Sequence, residues 1–281
     1  MMRFPHALLA CLVFAAAGVS AADRPGRALV GIDVLARDGF AALDGQRVGL
    51  ITNHTGVDGD GVPTIHRLHD APNVQLAALF SPEHGLHGRL DVAKIADSED
   101  QGTGLRVYSL YGETRQPTPA MLAGLDTLVF DIQDIGTRFY TYISTLGLAM
   151  QAAADAGLRF VVLDRPNPAG RPVEGLLLRP EWESFVGAGP LPMRHGLTMG
   201  EMGTWFIETL GLDVEYAVIS MDDWWPGTAP GYGWPLHERN WINPSPNAPN
   251  LSMARCYAGT VMLEGTTLSE GRGTTRPLEL F

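Results

Sequence analysis

The sequence predicts an α/β protein with a doubly wound, mostly parallel sheet. Three observations carry that expectation: short continuous apolar runs, helical periodicity between them, and polar residues at the end of each run. Apolar runs of five or six residues suit strands buried on both faces, as in a parallel sheet covered by helices.

The first strand is RVGLITN (47–53), followed by a helical stretch TIHRLHDA. VQLAALF (74–80) is the second strand and runs into SPEHG. DTLVFDI (126–132) precedes YISTLGLAMQAAADAG, whose apolar spacing is helical and whose Gly157 is placed to close it. RFVVLD (159–164) is stopped by RPNP, LTMGEMGTWFIETLG (197–211) is a helix ended by Gly211, and VEYAVI (214–219) is a further strand. Alternation of this kind gives a domain of packed layers with helices on both faces. From Asp222 onward the chain is rich in Pro, Gly, Asn and Trp without a sustained period. It reads as an ordered excursion leading to a smaller C-terminal domain. The organisation expected is a leader over 1–21, the α/β domain over 22–221, and the excursion with the start of an incomplete C-terminal domain over 222–281.

The leader has one arginine in MMRFPH, an apolar run ALLACLVFAAAGV, and VSA before Ala22. That layout is a cleavable secretory signal, too short to span a bilayer comfortably. Export is expected, with no transmembrane segment after cleavage. A lipoprotein reading of Leu8 to Cys11 fits less well, because the apolar run continues past the cysteine. Cleavage also removes Cys11 and leaves Cys256 alone, so the mature chain has no internal disulfide. With 45% hydrophobic and 18% charged residues the composition is globular. A net charge of −11 argues against a nucleic-acid surface and favours a neutral or weakly charged substrate.

Ligands of parallel sheets bind outside the carboxyl ends of the strands. Four ends deliver polar groups: Asn53 and His54; Glu83 and His84; Asp131 and Asp134, with Arg138 and Tyr140 behind; and Asp164 with Arg165. Glu83 follows an apolar strand in a loop shaped by Pro82 and Gly85, and partial desolvation there suits a carboxyl group to proton transfer. It equally reads as a helix cap. His84 orients Glu83, binds substrate or serves the loop. Asp131 and Asp134 offer a second carboxylate, and glycoside hydrolysis commonly uses two. Asp134 is also spaced to pair with Arg138. His54, His66, His69, His84 and His87 share one segment, but no spacing places three metal ligands on one element. No GxSxG elbow is present, and GRGTT lacks a P-loop lysine. Trp224, Trp225, Trp234 and Trp241 suit packing on sugar rings, although at least two are expected as core anchors. Glu264, Glu270 and Arg272 add charge in a glycine-rich loop, where Arg272 clamps a substrate carboxylate or pairs with a glutamate.

GLITNHTGVD, LFSPEHGLHG, VYSLYGETRQPTPAMLAGLDTLVFDIQDIGTRFYTYISTL, VVLDRPNPAG, RHGLTMGE, PSPNAPN and EGTTLSEGRGTTRP together resemble the NamZ (YbbC-like) family of exo-β-N-acetylmuramidases. The resemblance runs from about Gly31 to the last residue. It implies a Rossmann-like domain against a smaller C-terminal one, with the active site between them. It further implies release of N-acetylmuramic acid (MurNAc) from the non-reducing end of peptide-free peptidoglycan strands, without an organic cofactor; the leader together with a wall substrate points to the periplasm, and the histidine spacing to no metal. SPEHG then matches the catalytic loop, with Glu83 as acid/base. MurNAc carries a lactyl carboxylate, for which Arg138, Arg165 and Arg272 are the candidate cations. Family members continue past GTTRP, so the smaller domain is expected to be short here. The alternative from another class is an exported sugar-binding protein using the same rim without catalysis; a metal-dependent hydrolase of wall amides or esters is a third.

Overall fold

A computed structural model describes residues 28–227, 234 and 239–281; the expected leader lies outside the described residues. Seven strands form one sheet: β1 (Arg47–Thr52), β2 (Gln75–Ser81), β3 (Ser98–Glu99), β4 (Arg106–Ser109), β5 (Thr127–Asp131), β6 (Arg159–Leu163) and β7 (Tyr216–Ile219). Their order is β3-β4-β2-β1-β5-β6-β7, and all neighbours are parallel except β3 and β4. The sheet is therefore doubly wound. From β1 the chain steps outward through β2 to β4, then returns to β5 and proceeds through β6 to β7. The crevice between the carboxyl ends of β1 and β5 is the place where such sheets bind ligands.

The strand runs are apolar without alternation because both faces are covered. In β5 and β6, Leu128, Phe130, Phe160 and Val162 point into one core, while Val129, Val161 and Leu163 point into the other. The first core lies under α4 (Tyr142–Ala156) and α5 (Met199–Leu210), which contribute Leu146, Met150, Met202 and Phe206. The second is covered by α1 (Gly31–Arg37) and α2 (Thr64–His69), through Ile32, Leu35 and Leu68. Burying each such side chain contributes about 1.5–3 kcal/mol. Gly157 and Gly211 end α4 and α5 in the left-handed conformation, as their positions predict. The short α3 (Pro119–Leu122) and α6 (Leu251–Thr260) complete the helices among the described residues. Met253, Ala254 and Tyr257 of α6, with Leu278 beyond it, belong to the first core. No helix among the described residues is long and apolar enough to cross a membrane.

The end of β6 fastens α5. Asp164, 7% exposed, accepts hydrogen bonds from Thr198 Oγ1 and Gly200 N, both at 2.9 Å, and from Arg165 N at 3.0 Å. Thr198 also caps α5, its hydroxyl accepting from Glu201 N while Glu201 accepts from Thr198 N. Burial pushes the Asp164 carboxyl up from 3.8 to about 6. An acid whose folded pKa is raised binds a proton that the unfolded chain has already released, so its protonated form favours the fold. The Asp164 contribution is then fully present below about pH 4 and lost as pH rises to about 6, a change of about 3 kcal/mol. Urea titrations of wild type and Asp164→Asn across this range are expected to show the wild type losing stability relative to the variant as pH rises.

Candidate active site

At the crevice, Asp131 and Arg165 form a bidentate ion pair. Arg165 Nε reaches Asp131 Oδ1 at 2.5 Å and Nη2 reaches Oδ2 at 2.8 Å, with the two side chains 2% and 0% exposed. Thr64 Oγ1, at the start of α2, donates to the same Oδ2, and Arg165 Nη2 also donates to the Val57 carbonyl. Both Asp131 oxygens are thereby occupied. Asp131, expected as a catalytic carboxylate, is paired with Arg165, expected at substrate, so each is the other's counter-ion.

The end of β1 organises the next layer. Asn53 is buried; its Oδ1 accepts from Thr55 N and Thr55 Oγ1, and its Nδ2 donates to Tyr142 Oη at 3.0 Å. Tyr142 in turn donates to the Pro244 carbonyl at 2.5 Å. Asn53, expected at substrate, thus positions the start of α4. His54 bonds through Nε2 to the Asn243 carbonyl at 2.7 Å. A Cβ on Gly88 would fall onto the His54 ring, so only glycine permits this approach of the Glu83 loop. Burial lowers the His54 pKa against the opposing pull of the Asn243 carbonyl, and His84, His87 and Arg89 lower it further.

Glu83 is half-buried at the carboxyl end of β2. Thr141 Oγ1, immediately before α4, donates to its Oε2 at 2.5 Å. Burial and a hydrogen bond to the Glu83 carboxylate raise the pKa of the Tyr111 hydroxyl, which follows β4. Tyr142 and Tyr257 also lie within electrostatic range of Glu83, and burial is the main cause of their raised pKa values. Glu83 forms no ion pair with Lys, Arg or His among the described residues. It is a carboxylate oriented by hydroxyl groups, the arrangement a proton donor or acceptor needs. His84 adopts φ +69° and turns its Nδ1 onto the Leu90 carbonyl at 2.9 Å, so it shapes the loop.

Other expected residues take different places. Asp134 Oδ2 accepts from Gly136 N at 2.6 Å and lies 3.6 Å from His195 Nε2, in the interior. Arg138 does not pair with it. The Arg138 Nη1 donates to the carbonyls of Leu176 and Leu191, bracing the 171–196 loop, because residues 132–139 are irregular and a four-residue spacing brings no contact there. Tyr140 is buried edge-on against Tyr142 and Tyr257, with centroids at 4.9 and 6.3 Å. Arg272 lies between Glu264 at 2.6 Å and Glu270 at 2.8 Å, so the loop glutamates take its charge. Tyr257 feels both Glu264 and Glu83, which sets this triad near the Glu83 side of the rim. Trp234 and Trp241 pack together at 5.2 Å as core anchors, Trp224 lies beneath Arg171, and Trp225 is exposed. Among the described residues no three His, Cys, Asp or Glu side chains gather as a metal site. Sequence reading missed Thr141, Tyr111 and Tyr142. Tyr111 lay within the family-like stretch, but its strand, β4, is a four-residue piece near the sheet edge.

The chain matches the model of the N-terminal part of the exo-β-N-acetylmuramidase NamZ over residues 48–252 and that of its C-terminal part over 255–281. It belongs to the NamZ family. The NamZ sequence models meet about thirty residues beyond the change in texture at Asp222. The peptidoglycan β-N-acetylmuramidase NamZ of Bacillus subtilis (strain 168) is 44% identical over 253 residues, which are 89% of this chain and 60% of that protein. Two DUF1343 family proteins of Bacteroides fragilis have similar crystal structures. One is 43% identical with a TM-score of 0.82, covering 91% of this chain and 65% of the other. The second is 33% identical with a TM-score of 0.77, covering 90% and 66%. The chain thus spans less than two thirds of the length of these three relatives.

Removing one partner of a buried ion pair leaves an uncompensated charge, at a cost of about 3–5 kcal/mol. Asp131→Ala is expected to lose stability on that scale in urea unfolding. Asp131→Ala combined with Arg165→Met is expected to recover part of it.

Proposed function

We propose that this chain is a glycoside hydrolase that releases MurNAc from the non-reducing end of peptide-free peptidoglycan strands, with Glu83 as the acid/base. The observation that carries this reading is the partnership of the carboxylates. Asp131 is paired with Arg165, Glu264 and Glu270 share Arg272, and Asp134 is turned inward. Glu83 is held at the rim by Thr141, with the Tyr111 hydroxyl beside it, which orients a carboxyl group without cancelling its charge.

In this mechanism Glu83 donates its proton to the glycosidic oxygen as the C1–O bond breaks, and the leaving sugar departs with a neutral hydroxyl. Charge builds on the anomeric centre in an oxocarbenium-like transition state. The Glu83 carboxylate then takes the proton of the water that completes hydrolysis. Thr141 and Tyr111 keep the acid on one face of the sugar. The Bacillus subtilis relative, named as a peptidoglycan β-N-acetylmuramidase, supports the substrate class. A periplasmic location rests on the leader-like residues 1–21.

Loss of a general acid costs about 10²–10⁴-fold in rate. Glu83→Gln is expected to stay folded and to lose MurNAc release from a MurNAc-GlcNAc disaccharide on that scale, as read by mass spectrometry. Equal release by variant and wild type would remove Glu83 from the mechanism, and saturable binding without release by either would favour a sugar-binding protein. For export, the protein recovered from the periplasm is expected to begin at Ala22, and an intact Met1 there would refute cleavage.

A further inference from the structure

A carboxylated sugar requires a cation, and the three arginines expected to supply it are engaged elsewhere: Arg138 on two carbonyls, Arg165 on Asp131, Arg272 between two glutamates. Arg115 is placed differently. Its guanidinium is wedged between two aromatic rings, 4.0 Å from the Tyr111 centroid and 4.1 Å from the Phe185 centroid. It forms no ion pair with a carboxylate among the described residues. Tyr111 also lies beside Glu83, whose carboxylate helps to raise the pKa of its hydroxyl, so Arg115 stands one side chain away from the proposed acid.

Ring contacts use the faces of a guanidinium; part of the Arg115 edge is turned to the Tyr111 hydroxyl, and the remaining N–H groups are free to meet a ligand. Two parallel N–H groups on that edge match the two oxygens of a carboxylate. Arg115 and Phe185 also line a cavity of about 680 Å³ between α4, α5 and the 183–190 loop, with Leu148, Trp205 and Phe206 among its apolar walls. Low-polarity surroundings strengthen a charged contact at its edge. We propose that Arg115 is the substrate-recognition cation, a clamp for the lactyl carboxylate of a muramyl ring whose glycosidic bond lies at Glu83. This proposal rests on the hydrolase reading for its ligand. The lactyl group hangs from C3, two ring carbons from the anomeric centre, so acid and cation must be close without touching. Tyr111 supplies that separation. Arg89, on the Glu83 loop, is the competing cation; it is exposed, and no hydrogen bond, ion pair or ring contact orients it among the described residues.

The test is calorimetric binding of MurNAc and of its uncharged lactyl methyl ester to the full-length protein. Wild type is expected to prefer the acid by about tenfold or more, the scale of one charge-assisted contact. Arg115→Met is expected to abolish that preference while binding the ester like wild type, Arg115→Lys to keep part of it, and Arg89→Met to keep all of it. A preference that survives in Arg115→Met, disappears in Arg89→Met or is absent from wild type would overturn the proposal. So would loss of ester binding in Arg115→Met, which marks a structural role. Binding is read without turnover. If the preference depends on Arg115 while the disaccharide is not cleaved, the hydrolase reading falls and the carboxylate site stands.

Discussion

The Asp131–Arg165 pair is the constraint on which the site depends. Asp131 is the last residue of β5, Arg165 follows β6, Thr64 opens α2, and Val57 belongs to the loop between β1 and α2. One buried interaction therefore ties four segments at the carboxyl rim. Removing two charges from water is costly, and a buried pair is tolerated when its remaining hydrogen-bonding capacity is met. Here Thr64 and the Val57 carbonyl meet it. Thr52 Oγ1 adds a bond to the Asp131 carbonyl at 2.7 Å, and Gln133 N donates to Thr55 Oγ1 at 2.9 Å. The β1 loop can take few other positions while these partners are satisfied.

That fixed rim sets the geometry around Glu83 indirectly. Asn53 is held by Thr55 and holds Tyr142; Tyr142 is the first residue of α4, and Thr141 precedes it. The hydroxyl that orients Glu83 is therefore placed by a chain of buried bonds beginning at the ion pair. Residues 243 and 244 close the same chain from the other side, through His54 and Tyr142. The rim divides its acids by partner. Asp131, Glu264 and Glu270 face arginine, whereas Glu83 faces the Thr141 hydroxyl and no cation among the described residues.

Much of the fold was legible because the signals were local. Five strands and three helices follow from unbroken apolar runs and helical spacing, and Gly157 and Gly211 mark helix ends by a conformation glycine adopts cheaply. β4 was not legible: four residues with mixed burial, paired with β2 on one side and a two-residue β3 on the other, leave little pattern. Missing it hid Tyr111. Within the site, the polar character of the strand ends was readable but the roles were not. Which arginine meets Asp131 depends on strand order, since Arg165 lies 34 residues away. Spacing linked Asp134 to Arg138 on the assumption of a helix, and the backbone there is irregular. Two of the four C-terminal tryptophans are core anchors, as their size led one to expect, yet sequence could not say which two.

Net charge shows the same limit of whole-chain reasoning. A chain of charge −11 points away from anionic partners when read as a single number. Exposed charges farther apart than about 8–10 Å are largely screened at physiological salt, so distant surface acids have little effect at the rim. Short-range neighbours decide the potential there. His54 is shifted toward its neutral form chiefly by burial, and the Arg89 guanidinium adds to that shift from the Glu83 loop. Arg115 adds a further cation on the Tyr111 side. A proposed substrate bearing one carboxylate meets that local field rather than the sum over the chain. The acidic composition and the proposed recognition of a carboxylate at the rim are therefore compatible, because they act over different distances.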